Sequence, residues 1–276
     1  MRRPSTNLKP GSGQSKGHLM DTTTLFSLEG RSALVTGGSR GIGKMIAEGL
    51  LRQGARVYIT ARKAEACDEA ARELSAIGPC VSLPVDVSTT EGIDELVKAY
   101  SAHEKSLDIL VNNAGAAWGA GFDEFPESGW DKVMDVNVKA PFFLTQQLKP
   151  LLLAGAANGH PAKVINIASI DGQSLNPMET YSYHASKAGL IHLTKRMAVR
   201  LAPEGIIVSA IAPGAFASNM NKEARDHADV VKDFIPSGRV GVPEGMAAAA
   251  IYLSSRAGDY VVGSTITVDG GVNVAR

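Results

Sequence analysis

Apolar positions along this chain alternate between two spacings. Seven short runs, Ser32–Thr36, Arg56–Thr60, Cys80–Val85, Leu107–Val111, Lys163–Ala168, Ile206–Ile211 and Thr265–Val268, are rich in branched apolar residues and too short for buried helices. Each predicts a strand. Between them lie segments with apolar residues three and four apart, each predicting a helix. These are Ile42–Gln53 (Ile42, Met45, Ile46, Leu50), Ala64–Ala76, Thr89–Ala102 with Thr89 as N-cap, and Trp130–Leu153 with Pro141 inside it. Tyr183–Leu201 and Glu244–Leu253 complete the set. Strands alternating with helices of ten to fifteen residues imply βαβ units: an α/β fold, with one doubly wound parallel sheet and helices on both faces. No linker or repeat divides residues 28–276, so one domain is expected. Right-handed crossovers put the loops after the strands on one edge, where such sheets bind ligands.

Two segments break the pattern. Residues 215–240 have weak periodicity, and an irregular stretch that long inside a compact domain is usually functional. Residues 1–27 read as a disordered tail: the first twenty are rich in Gly, Ser, Lys and Arg and lack the apolar core of a secretory signal.

Composition narrows the function classes. With 276 residues, 44% of them hydrophobic, the chain can build a full core. Lys plus Arg and Asp plus Glu both number 28, so no basic excess points to nucleic acid or an anionic membrane. No run of 18 apolar residues suggests a span. Cys67 and Cys80 have no C-x-x-C or zinc spacing, which suits reduced thiols in the cytoplasm. The six histidines form no metal motif, so no metal is expected.

Candidate chemistry enters at Ser182-Tyr183-His184-Ala185-Ser186-Lys187. Residues four apart share a helix face, so Tyr183 and Lys187 project together. A fixed cation favours phenolate, and lowering the phenol by about two to three units would be worth about 3–4 kcal/mol. Tyr181 is the rival phenol, but position 185 is alanine.

Thr36-Gly37-Gly38-Ser39-Arg40-Gly41-Ile42-Gly43 joins the first strand to the first helix. Glycines there let backbone N–H groups approach a phosphate at a helix start. Gly38–Lys44 matches seven positions of a nucleoside-triphosphate loop, but Met45 lacks the hydroxyl that would hold Mg²⁺. The alternative is a dinucleotide turn spaced G-x-x-x-G-x-G. The second strand ends Thr60-Ala61-Arg62-Lys63, without the carboxylate that binds a ribose 2′-hydroxyl. Arg40 and Arg62 could flank a 2′-phosphate instead, which favours NADP(H).

Four elements now stand in order: the glycine turn, Asn112-Asn113-Ala114-Gly115, Ser169, and Tyr183 with Lys187. Together they resemble the short-chain dehydrogenase/reductase family from about residue 28 to the C-terminus. The resemblance implies a Rossmann-type domain and a hydride exchanged between NADP(H) and a small-molecule carbonyl or alcohol. It implies cofactor contacts from Gly37, Ser39, Arg40, Gly41, Ile42, Gly43 and Arg62, and from Asp86 and Val87 at the adenine. Asn113, Ala114, Gly115, Tyr183, Lys187, Pro213 and Gly214 would line the remainder. Asp86 could equally be a capping residue, and the asparagines could be structural. Ser169 would steady the substrate oxygen, with Ser174 and Ser186 as alternatives. Tyr183 would exchange the proton, Lys187 would lower its pKa, and Asn137 would hold a water behind Lys187.

Residues 215–240, with Phe216, Met220 and Phe234, would form the substrate lid, and Trp118 and Phe122 an opposing wall. Within the family the sequence most resembles 3-oxoacyl reductases, including those of bacterial glycolipid synthesis. Carrier-protein reductases place basic residues where this chain has His160 and Glu204. Glu204 would repel an acidic carrier, leaving a coenzyme A thioester or a free ketone. A homo-oligomer, tetramer or dimer, through the Trp130 and Tyr183 helices is also implied. A catalytically idle NADP-binding protein and a phosphate-loop NTPase are the competing readings.

Overall fold

The computed structural model describes residues 22–218 and 221–275. Its strands are β1 (Ser32–Thr36), β2 (Arg56–Thr60), β3 (Cys80–Ser82), β4 (Ile109–Asn112), β5 (Ala162–Ile167), β6 (Ile206–Pro213) and β7 (Thr265–Val268). They form a single seven-stranded sheet in the order β3-β2-β1-β4-β5-β6-β7, with every pairing parallel. The helices are α1 (Gly41–Arg52), α2 (Ala64–Leu74), α3 (Thr90–His103), α4 (Glu127–Met134), α5 (Ala140–Ala156) and α6 (Tyr181–Leu201). Four more follow: α7 (Lys222–Asp226), α8 (Ala228–Val231), α9 (Pro243–Ser254) and α10 (Val272–Ala275). This is a Rossmann-type sheet with helices on both faces.

Strand side chains alternate between two cores, as the period of two demands. Ala33 and Val35 face one way with Val57, Ile59, Ile109 and Val111, and meet α1, α2 and α9. Leu34, Leu110, Val164 and Val208 face the other way, against α3, α5 and α6. Leu50 on α1 and Leu148 on α5 are fully buried, each contributing roughly 1.5–3 kcal/mol. At Gly49 a Cβ would lie 2.6 Å from that of Ala247, so glycine sets the close approach of α1 and α9.

Several boundaries differ from expectation for local reasons. β3 stops at Ser82 because Pro84 has no N–H to extend the ladder, although Leu83 still donates to Ile59 at 2.9 Å. Leu28 is the first fully buried residue among the described residues. Of the expected tail, residues 1–21 lie outside the described residues, while Ser27 donates to Thr24 at 3.1 Å within a turn.

The long helix expected over Trp130–Leu153 divides in two. Between α4 and α5 lies a π turn, Asp135–Lys139. Pro141, in the first turn of α5, has no N–H to offer the carbonyl of Asn137 four residues back. Such bulges gather at functional sites, and Asn137 stands in this one.

Candidate active site

The loops after β1 and β4 are stitched together beneath a cradle. Thr36 Oγ1 accepts the N–H groups of Asn113 and Ala114, both at 2.9 Å. Asn113 Nδ2 donates to the carbonyls of Thr36 (2.8 Å) and Gly37 (3.2 Å). Gly37 and Gly41 have φ of +65° and +54°, the left-handed region that favours glycine. A Cβ on Gly43 would lie 2.3 Å from the Gly37 carbonyl oxygen. At the start of α1 no acidic side chain or side-chain cap meets the free N–H groups, so Ser39, Arg40, Gly41, Ile42 and Gly43 frame a place for a phosphate.

β2 ends beside this turn: Gly38 donates to the Thr60 carbonyl at 3.1 Å. Arg40 and Arg62 are both exposed, and neither forms an ion pair among the described residues. This donor set, with the glycine cradle, fits a dinucleotide carrying a 2′-phosphate. Lys44 is drawn aside into an ion pair with Glu73 of α2, away from the place a triphosphate loop would need it. Asp86 accepts the Ser88 N–H at 3.0 Å, while Thr89 caps α3 by accepting from Gly92 at 3.1 Å. Asp86 therefore shapes the turn, and Val87 beside it is buried.

The residues expected to handle the proton converge at the C-terminal edge of the sheet. Ser169 follows β5, and α6 begins at Tyr181, two residues earlier than the sequence pattern suggests. Lys187 Nζ lies 5.6 Å from the centre of the Tyr183 ring and donates to the Ile167 carbonyl at 2.8 Å. Gly115 faces both partners of the group: a Cβ there would meet Asn137 Oδ1 at 3.1 Å and Lys187 Nζ at 3.7 Å. Asn137, 1% exposed, is clamped on three sides. Its Oδ1 accepts from the Ala116 N–H, and its Nδ2 donates to the Ala116 carbonyl and to Ser186 Oγ, each at 2.9 Å. Ser186 and Ser174 spend their hydroxyls on the carbonyls of Tyr183 (2.8 Å) and Ile170 (3.4 Å), leaving Ser169 to face Tyr183.

The electrostatics correct one expectation. Tyr183 is partly exposed, yet the dense surroundings of its hydroxyl push it up to about 12, burial being the largest cause. The hydrogen bond with Ser169 pulls it down, and the nearby charge of Asp171 pushes it up. Lys187 is itself lowered to about 8 by burial. Its ammonium sits over the ring and bonds a carbonyl rather than the hydroxyl, so burial outweighs the acidifying effect that helix spacing implies. The rival Tyr181 is more exposed and donates to Glu179 at 2.9 Å.

The expected substrate walls are placed unevenly. Pro213 ends β6, and Gly214 donates to the Val268 carbonyl at 3.0 Å. Phe216, 3% exposed, belongs to the core against Gly241 and not to a lid surface. Phe234 is 79% exposed, and Met220 lies outside the described residues. Trp118 is covered by Gly129 and Lys132. Phe122 is open and packs edge-on against Tyr181 at 5.6 Å, with Phe125 at 5.7 Å on the same ring.

His160 and Glu204 stand at the other end of the molecule. Each precedes a strand start, and along α6 Glu204 is about 30 Å from Tyr183 at 1.5 Å per residue. His160 Nε2 faces Asp108 at 3.5 Å, and Glu204 is matched by Lys149 at 2.7 Å and by Arg200. The repulsion expected from Glu204 is thus balanced by its own partners. Sequence reasoning named Thr36 and Asn112 within their motifs but missed what Thr36 holds, and it missed Asp171 and the buried partners of Asn112, namely Thr145 and Asn166, with Thr194 beyond.

The comparisons agree with this geometry. A family model described as enoyl-(acyl carrier protein) reductase matches residues 37–273. The rhamnolipids biosynthesis 3-oxoacyl-[acyl-carrier-protein] reductase of Pseudomonas aeruginosa is 50% identical over 252 residues, covering 90% of this chain and 98% of its own. The Pseudomonas aeruginosa RhlG/NADP active-site complex superposes with a TM-score of 0.87 at 49% identity, over 91% of this chain and 99% of that one. A gluconate 5-dehydrogenase from Burkholderia cenocepacia, in complex with NADP and tartrate, gives 0.83 at 34% identity over 92% and 99%. The chain belongs to the short-chain dehydrogenase/reductase family, as an NADP(H)-dependent oxidoreductase acting between a CH–OH group and a carbonyl.

Proposed function

We propose that the chain is an NADPH-dependent ketoreductase whose substrate is a 3-oxoacyl thioester or a similarly apolar ketone. The observation that carries this reading is the meeting of Ser169 and Tyr183 at one mouth with Lys187 buried behind the ring. NADPH, when bound, supplies the hydride that reduces the carbonyl carbon. Gly37 to Gly43 would seat its pyrophosphate and Arg40 and Arg62 its 2′-phosphate. Asp86 and Val87 would border the adenine, and Asn113 to Gly115, Pro213 and Gly214 the nicotinamide side.

Tyr183 gives its proton to the carbonyl oxygen, and Ser169 hydrogen-bonds the charge that gathers there. A phenol held neutral is the right state for a donor. Lys187 stays cationic at neutral pH, steadies the cofactor ribose and stands between Tyr183 and the clamped Asn137. The Asn137 carbonyl, which cannot accept an N–H from Pro141, would seat a water that returns the proton.

Phe122 and Tyr181 offer an apolar wall to an acyl chain, in keeping with the printed activity of the rhamnolipid relative. A second reading, a hydroxy-acid dehydrogenase, draws on the tartrate-bound gluconate enzyme. We further place the protein in the cytoplasm as a homo-oligomer, with Trp130 and Phe142 exposed on α4 and α5. Among the described residues no helix is long and apolar enough to cross a membrane.

The test is NADPH consumption with 3-oxoacyl thioesters of coenzyme A and of a carrier protein, an apolar ketone, and a keto-sugar acid. The thioesters should be preferred. Turnover of the sugar acid alone would transfer the assignment to the second reading.

A further inference from the structure

The loops around the mouth carry large apolar side chains that the core does not use. Phe122 in the loop after β4 is 74% exposed, and Leu175 and Met178 in the turn after β5 are 79% and 61% exposed. Apolar residues scattered singly on a surface are ordinary; a contiguous set marks a place where something binds. The turn after β5 runs from Ser169 to Tyr183, so both its ends lie at the mouth. Between them it spends its polar groups on itself. Asn176 Nδ2 donates to Asp171 Oδ1 at 2.7 Å, and Asn176 Oδ1 accepts the Met178 N–H at 2.8 Å. The loop after β4 is tied alongside, because the Ala120 N–H donates to the Glu179 carbonyl at 3.2 Å. Tyr181 bridges the two: its ring meets Phe122 and Phe125 edge-on, and its hydroxyl is held by the Glu179 carboxylate. Residues 215–240 join the same turn through Ile235, which shares a small core with Ile170 and Val272.

The charge of these loops is one-sided. Residues 113–128 and 169–182 hold Asp123, Glu124, Glu127, Asp171 and Glu179, and no Lys, Arg or His. The nearest lysines along the chain are committed elsewhere: Lys132 lies over Trp118 at 5.3 Å, and Lys187 bonds the Ile167 carbonyl. In residues 215–240, Arg225 pairs with Asp226 at 2.7 Å. A carboxylate on the substrate would meet like charge in both loops, whereas a hydrocarbon chain would cover the exposed apolar side chains.

We propose that Phe122, Leu175, Met178 and Tyr181 form an open ledge that selects substrates by the length of an uncharged hydrocarbon chain, while the carboxylates around it turn away substrates that carry an acid. This rests on the ketoreductase reading and says which of its substrates the mouth fits: a 3-oxoacyl group with a long apolar tail, not a sugar acid.

The experiment uses the full chain, NADPH and neutral N-acetylcysteamine thioesters of 3-oxo acids with four, six, eight and ten carbons. Each two-carbon step should raise kcat/KM by about threefold or more, because every covered methylene adds to binding. A ten-carbon chain ended by a carboxylate should be at least about tenfold worse than its methyl-ended counterpart, by like-charge repulsion. Leu175→Ser, Met178→Ser and Phe122→Ser should each pull the ten-to-four ratio toward one, and Phe122→Leu should keep most of it. These positions are exposed, so the fold tolerates the changes, and thermal unfolding checks that it does. Val199→Ser, exposed on α6 and about 24 Å from Tyr183 at 1.5 Å per residue, should keep the wild-type ratio. Binding of the saturated thioesters, which hold no ketone, to the NADP⁺ complex should follow the same order by calorimetry, without turnover. A flat length series in either readout, equal use of the carboxylate-ended chain, or an equal loss in Val199→Ser overturns the proposal. Ledge variants that change the oligomeric state and keep the ratio would assign the surface to a second copy of the chain, and overturn it too. Length-dependent binding in a protein that reduces none of the ketones would sink the reductase reading alone.

Discussion

The ammonium of Lys187 stands 5.6 Å from the centre of the Tyr183 ring and spends a hydrogen bond, at 2.8 Å, on the Ile167 carbonyl. The pair is thus stacked cation over ring, with the cation fixed from behind. Burial depresses the lysine from 10.5 to about 8. Below that value Lys187 is charged and can serve the cofactor ribose; above it the charge is lost. We expect kcat/KM for NADPH, which reports the free enzyme, to fall on the alkaline side with an apparent pKa near 8. Lys187→Arg should move that limb well upward. A flat profile through this range in the wild type would contradict the burial argument. By linkage, the unfolded chain binds the extra proton between about 8 and 10.5, so this residue adds stability as pH rises through that window.

Tyr183→Phe removes the donor and keeps the ring under Lys187. Turnover should drop by about 10²–10⁴-fold, while NADPH affinity, read by tryptophan fluorescence quenching, stays within about twofold by the same separation of binding from chemistry. Residual activity near wild type would mean that another group delivers the proton.

Arg40 and Arg62 occupy the two loops bound by the Gly38–Thr60 hydrogen bond. Hydrogen bonds to charged groups are worth about 1.5–3 kcal/mol each. Replacing both with alanine should therefore weaken NADPH by about a hundredfold or more and leave NADH nearly unaffected. Equal losses for both cofactors would show that the arginines do not read the 2′-phosphate.

Gly43→Ala would drive a methyl into the Gly37 carbonyl, 2.3 Å from the Cβ position, and into Asn113 Nδ2 at 2.4 Å. Overpacking of this kind typically costs about 1–3 kcal/mol. Thermal unfolding should shift downward, and NADPH binding should weaken further because Asn113 must leave the Gly37 carbonyl. A variant with unchanged Tm and unchanged cofactor affinity would refute this account of the cradle.

Much of this was legible in the residues. The seven strands and the two-sided sheet follow from spacing alone, because alternation and helical period respond to burial directly. The glycine turn, Ser169 and the Tyr183–Lys187 pair stood out as an ordered set resembling the family's motifs, and the structure brings Ser169, Tyr183 and Lys187 together. What escaped was set by contacts distant in sequence. Thr36 shows its purpose only when β4 comes alongside to offer two N–H groups. Phe216 reads as a lid residue until Gly241 closes over it. Helix spacing places Lys187 near Tyr183, but whether the ammonium meets the hydroxyl or the ring depends on the Ile167 carbonyl, twenty residues away.

The strand starts carry their own buried charges: Lys163 meets Asp259 at 2.7 Å, Arg31 reaches the Ser254 carbonyl at 3.0 Å, and Asp108 takes two hydrogen bonds from Ser32. These ties anchor the strand-start edge of the open sheet, the floor opposite the mouth. Wear and chemistry are therefore separated in space. Substitutions at the floor should shorten the protein's working life without changing what it converts, and the mouth is left free to diversify toward new substrates while the floor keeps the chain folded.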